Sequence, residues 1–182
     1  MERITGQLEE SIEVALLTTP VDVIVMGPGL SDTSPAAALR RDIIGAAHDF
    51  GVIIEPEHEQ LIAAASAKFR EGHSLTAYEM YLVDQSHLVV LIPASPGSLC
   101  ELGLFASFEQ FARKLLVLVS REYREESSYI ADGPLTIATQ YKAEVRYIDY
   151  DDFEAARNLV RTRIQQIRVT RSLERFKGAP SR

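Results

Sequence analysis

Cysteine is nearly absent: Cys100 is the single one in 182 residues. One thiol closes no internal disulfide and builds no cysteine-rich metal site. Disulfide scaffolds, zinc ribbons and zinc fingers are therefore excluded, and a reducing cytoplasm is the expected compartment. Long apolar runs are absent too. The most apolar stretches, 88–94 and 115–119, fall far short of the roughly 18–20 residues that cross a bilayer. The opening MERITGQLEESIE is acidic where a signal peptide would be basic and then apolar, so no membrane partner is expected. No internal repeat, low-complexity segment or Pro/Gly/Ser-rich linker divides the chain, and only the closing GAPSR reads as a loose end.

With 46% hydrophobic and 25% charged residues, the composition is that of an ordinary globular protein, which excludes disordered, collagen-like and fibrous classes. The length suits one domain over 1–182, with a core at about 20–150 and a C-terminal helix at about 151–177. The net charge of −7 is unevenly placed. From Asp151 on there are eight Arg/Lys against four Asp/Glu, leaving eleven against twenty-two before it. An acidic body argues against broad binding of a phosphate backbone, while the basic tail reads as a solvated helix face or as a contact for an acidic partner.

Five Val/Ile/Leu-rich runs, at 21–26, 52–54, 88–92, 115–119 and 145–148, alternate with helical patterns. Most are continuously apolar, as strands covered on both faces are. The expectation is a single α/β, flavodoxin-like (Rossmann-like) three-layer domain, its five-stranded parallel sheet in the order 2-1-3-4-5. Helix starts are marked. Ser34-Pro35 opens PAAALRRDIIGAAHDF, which Gly51 ends; Thr76-x-x-Glu79 and Ser98-x-x-Glu101 fit the capping-box spacing; Gly133-Pro134 starts a short helix and Asp151 or Asp152 the last one. That last helix, to about Phe176, carries an apolar stripe longer than one sheet needs. With a leading helix near 9–17, it makes a homo-oligomer the expected state.

In this topology ligands bind beyond the carboxyl ends of strands 1 and 3. The two loops there, Gly27-Pro28-Gly29-Leu30-Ser31-Asp32-Thr33-Ser34 and Pro93-Ala94-Ser95-Pro96-Gly97-Ser98, are the most glycine- and proline-loaded in the chain. The first lacks G-x-G-x-x-G, with Asp32 where a third glycine would fall, so an ordinary dinucleotide site is not expected. Gly27, Gly29, Ser31, Asp32, Ser95, Gly97 and Ser98 are the candidate ligand contacts on these loops. Arg40 or Arg41, two turns into the following helix, would reach back to a phosphate, or would form a surface pair balanced by Asp42. Tyr129 and Asp132, after the fourth strand, are further candidates for substrate contact.

Glu101 has two readings. It closes a capping box with Ser98, or it is a first-turn carboxylate kept ionised by the helix dipole at the crevice mouth. In the second case it acts as a nucleophile, or stabilises an oxocarbenium ion, when a glycosidic bond breaks. Cys100 turns away from it and reads as core. The run EPEHE at 55–59 lacks H-E-x-x-H spacing, so no metal is expected. Tyr78 and Tyr81 read as packing, and His48, His73 and His87 have no partner at triad spacing.

The segment Gly97-Ser98-x-x-Glu101-Leu102-Gly103-x-x-Ala106, directly after the strand HLVVLIPASP, resembles the G-[TS]-x-x-E-x-G-x-A element of the nucleoside 2-deoxyribosyltransferase-like superfamily. The glutamate of that element is the family's catalytic carboxylate. LRRDI, Ile54-Glu55-Pro56 and the segment YIADGPL at 129–135 are similar to a bacterial branch encoded beside retron reverse transcriptases in antiphage defence systems. The likeness runs from about 21 to 150. It implies Glu101 as the catalytic residue, no cofactor, a nucleotide or NAD as substrate, and a reverse transcriptase–DNA complex as regulator. Subunits that complete each other's sites are a further implication. A transferase of this superfamily has a tyrosine soon after the first strand and an aspartate that orients the base. The first loop here has no tyrosine, and Asp32 or Asp84 would have to serve as the aspartate, Asp84 reading equally as a surface residue. Hydrolysis of an N-glycosidic bond by a defence effector or toxin is therefore the leading expectation. A nucleotide-sensing module and a structural subunit of a defence complex are the alternatives.

Overall fold

The computed structural model of the chain describes residues 19–49, 51–54, 75–124 and 129–178. The expected leading helix at 9–17, the EPEHE run, the Glu55-Pro56 pair and His73 lie outside them. Five strands, Asp22–Met26 (β1), Val52–Ile54 (β2), Leu88–Leu91 (β3), Leu115–Ser120 (β4) and Glu144–Ile148 (β5), form one sheet in the order β2-β1-β3-β4-β5. Every neighbouring pair is parallel; Val23 stands beside both Ile53 and Leu88, and Val117 beside both Leu91 and Val145.

The strands are continuously apolar because they serve two cores in alternation. Ile24, Met26, Val89, Leu91, Leu115 and Val117 turn to one face, which is covered by Leu75–Gln85 (α2), Pro96–Ala106 (α3), Glu109–Ala112 (α4) and Thr136–Gln140 (α5). Val23, Val25, Val90, Ile92, Leu116 and Leu118 turn to the other, covered by Pro35–Ala47 (α1) and Phe153–Gly178 (α6). Each such side chain fully withdrawn from water contributes about 1.5–3 kcal/mol. Because α1 leaves β1 on one face and α3 leaves β3 on the other, the chain diverges above these two neighbouring strands.

Local chemistry sets the helix ends. Ser34 caps α1 by accepting from the Ala37 N–H, with Pro35 at the first helical position. Ser95 and Pro96 repeat the device on α3. Ser95 accepts from the Ser98 N–H, and the Ser98 hydroxyl accepts from the Ser95 N–H. This corrects the expected box: Ser98 is the third helical residue rather than the cap, and Glu101 lies in the second turn rather than the first. Proline, lacking an N–H, fits the first position of the first turn, so Pro96 fixes the start one step after Ser95. Two other starts are also corrected. Thr76 lies inside α2, and Gly133-Pro134 lies inside a π-helix, Ala131–Leu135, that runs into α5. Asp152 caps α6, its Oδ1 accepting from the Ala155 N–H at 3.0 Å.

The 26 residues of α6 extend about 39 Å, more than twice the length of a strand. Ala156, Val160 and Ile164 bury on the sheet. Farther on, Arg168 donates to the Thr19 carbonyl at 3.2 Å, and the Ser172 hydroxyl lies 3.3 Å from that of Thr19. Val169 and Leu173 are exposed. No helix among the described residues is long and apolar enough to cross a membrane.

Candidate functional site

The two loops above β1 and β3 touch. A Cβ on Gly27 would stand 3.1 Å from the Ile92 Cβ and 3.2 Å from the Ile92 carbonyl oxygen, so only glycine lets the first loop lie this close. Arg40 holds that loop from beneath. It is 1% exposed. Its Nε and Nη2 donate to the Val25 carbonyl at 3.1 and 2.9 Å, and its Nη1 donates to the Pro28 carbonyl at 2.9 Å. Arg41 donates to the Leu30 and Asp32 carbonyls at 2.8 and 2.7 Å. Both guanidinium groups thus shape the loop, and the expected reach of Arg40 toward a phosphate is replaced by this inward clamp.

Asp32 closes a turn at the rim. Its N–H donates to the Gly29 carbonyl at 3.0 Å and its Oδ1 accepts from the Ser34 N–H at 2.7 Å. Hydrogen bonds from the Ser34 backbone and then its side chain hold the Asp32 carboxyl below the usual carboxylate range. Ser31, Gly29 and Gly97 are exposed, the two glycines with open space around their Cα atoms. Ser98 is fully buried and its hydroxyl is engaged with Ser95.

Over the carboxyl ends of the strands lies a cavity of about 410 Å³, walled by Ser34 to Ala36, Pro93 to Pro96, Leu99, Ser120, Glu122, Tyr123 and Asp149 to Asp151. Of the residues nominated from sequence, only Ser95 lines it. Gly27, Gly29, Ser31 and Asp32 flank it, while Tyr129, 88% exposed, and Asp132, also exposed, belong to the π-helix region. Sequence reasoning missed the acidic side: Glu122, Asp149 and Asp151. The signal was there, since these residues follow directly on β4 and β5. Tyr150 donates to the Leu118 carbonyl at 3.3 Å, and burial pushes its phenol up to about 12. Among the described residues no three His, Cys, Asp or Glu side chains are grouped to hold a metal ion.

Glu101 lies elsewhere. Successive helical residues are 100° apart, so Leu99 and Glu101 point from opposite flanks of α3 while Ser98, Leu102 and Phe105 between them face the sheet. Leu99 looks into the cavity, toward β4 and β5. Glu101 therefore takes the flank toward α2, which packs on β1. It is half-buried, with Oε2 closed off from solvent. On α2, Glu79 is also half-buried, near the same carboxyl edge of the sheet; the sequence had offered it only as part of a capping box. The α3 helix thus separates an acid-lined cavity from a flank that carries a shielded carboxylate.

Comparison with known proteins bears on the chain as a whole. A family model described as STM3845 retron effector protein matches residues 37–181. A protein of Escherichia coli named "Retron Ec86 putative ribosyltransferase/DNA-binding protein" is 32% identical over 72 residues, 40% of this chain. The chain spans only 24% of that relative's length.

Proposed function

Because the chain belongs to the STM3845 retron effector protein family, we propose that it acts in antiphage defence by cleaving the N-glycosidic bond of a nucleotide or of NAD, with Glu101 as the nucleophile. The observation that carries this reading is the half-buried carboxylate of Glu101 on the helix that follows the central strand β3, with one oxygen shielded from water. A carboxylate partly withdrawn from water in this way has less hydration to shed when it bonds to carbon than an exposed one. The Glu101 oxygen bonds to C1′ as the C1′–N bond breaks. The bond's electron pair leaves with the base: a purine or pyrimidine takes up a proton, whereas the cationic nicotinamide of NAD leaves neutral without one. Water then adds at C1′, gives up a proton and frees the sugar and the carboxylate. Among the described residues Glu79, half-buried on α2, is the candidate for the proton donor. The word ribosyltransferase in the relative's name accords with chemistry at C1′. The absence of a tyrosine in the first loop favours water as the acceptor. Incubation with NAD, nucleosides and nucleotides, followed by chromatography, should show release of free base; an untouched panel refutes the reading.

A second reading is a retron subunit that binds a nucleotide by its base and sugar without cleaving it: the 410 Å³ cavity is lined by three carboxylates and no Lys or Arg, which suits sugar hydroxyls and base N–H groups and leaves phosphates outside. The same panel separates the two, because a sensor returns its ligand intact. A regulator made of reverse transcriptase and DNA fits either reading through the basic side chains of α6.

A further inference from the structure

Among the described residues β5 pairs with β4 alone, so its outer edge carries a row of backbone groups with no strand beside it. A groove of about 640 Å³ runs along this edge, between β5 and the helices at 131–140, with Leu135, Thr139, Val145 and Tyr147 in its walls. We propose that this edge is the contact between two copies of the chain, joined as antiparallel β5 strands about a two-fold axis at Val145. The segment Ala143-Glu144-Val145-Arg146-Tyr147 is self-complementary in that register on both faces. Ala143, Val145 and Tyr147 share the groove face. There Tyr147 lies opposite the partner's Ala143, a ring over a methyl, and Val145 lies opposite the partner's Val145. On the other face Glu144 stands opposite the partner's Arg146, and Arg146 opposite the partner's Glu144. Opposite charges directly across an antiparallel pair are favourable and like charges are not. Shifting the register by one residue loses both matches. Within one chain Arg146 and Arg163 already lie 2.9 and 3.8 Å from Glu144. The pairing extends this row of charges across the axis instead of burying an unmatched one.

The inference does not depend on catalysis and is tested by sedimentation of the full chain. The wild type should be a dimer at micromolar concentration. Glu144→Arg places arginine opposite arginine, and Arg146→Glu places glutamate opposite glutamate. Each should raise the dissociation constant about tenfold or more. A mixture of the two variants restores both ion pairs and should form a heterodimer, as the double variant E144R/R146E should form a homodimer. Thermal melts of each variant keep folding separate from assembly. A monomeric wild type overturns the proposal. So does a dimer indifferent to all three changes, whose contact must lie elsewhere, or a mixture of folded variants that stays monomeric.

Discussion

The two flanks of α3 are built from one sequence segment and differ in kind. On the Leu99 side the prolines of two Ser-Pro helix starts, two tyrosines and three carboxylates wall an open cavity. On the Glu101 side a carboxylate is half-withdrawn from water, one of its oxygens closed off from solvent. The conspicuous hole in the surface is therefore not where the proposed nucleophile points. Space and chemistry are distinguished here by two steps along one helix.

Replacing Glu101 with glutamine should have the largest effect. Loss of the nucleophile should lower base release by about 10³-fold or more, while the near-isosteric amide leaves the chain folded, which the thermal midpoint checks. Wild-type turnover by this variant would dissolve the contrast between the flanks. Glu79→Gln comes next, with a fall of about 10²-fold that grows with the basicity of the leaving group, as expected of a proton donor. Equal loss on all leaving groups would assign Glu79 to binding instead. Arg40→Met should cost about 3 kcal/mol of stability, since the carbonyls of Val25 and Pro28 lose their donors in a buried place. Denaturant unfolding measures it, and a wild-type midpoint would mean that the loop holds itself. On the cavity side, Asp149→Asn should leave base release within about threefold, because that wall is remote from the bond that breaks. A loss comparable to that of Glu101→Gln would move the chemistry to the cavity.

The smallest effect belongs to Asp32→Asn, and it should depend on pH. The Asp32 carboxyl is held below its ordinary value by its bonds to Ser34. The stabilisation is therefore present above the ordinary carboxylate pKa and is lost as pH falls through the lowered one. The difference in thermal midpoint between wild type and variant should be constant near neutrality and vanish in strong acid. A difference that persists there would come from packing rather than charge.

Much of the fold was legible because burial leaves a strong imprint. Runs such as LVVL and LLVLVS are apolar at every position since both faces of each strand are covered, and Ser34-Pro35 announced its helix by a cap and a missing N–H. The errors were also physical. Ser95 and Ser98 stand three apart, so either can be read as a cap; Pro96 decides between them, and its likeness to Pro35 was already visible. Arg40 repeats the spacing of Ala36, Ile43 and Ala47, a stripe that faces the core, which should have turned it inward. Gly133-Pro134 looked like a helix start because proline favours one, yet the wide π-turn accommodates it mid-helix. The cavity acids carry no glycine, proline or motif signal; only their place just past β4 and β5 marks them. The role proposed for Glu101 comes from its motif; its flank of the helix required the structure.

The most direct test of that role is peptide mapping after rapid acid quench, with a nucleotide whose 2′-fluorine slows the second step. A sugar ester on the peptide that carries Glu101 is the expected result. Base release with the label on Glu122, Asp149 or Asp151, or with no labelled peptide at all, would contradict the assignment of Glu101 as nucleophile.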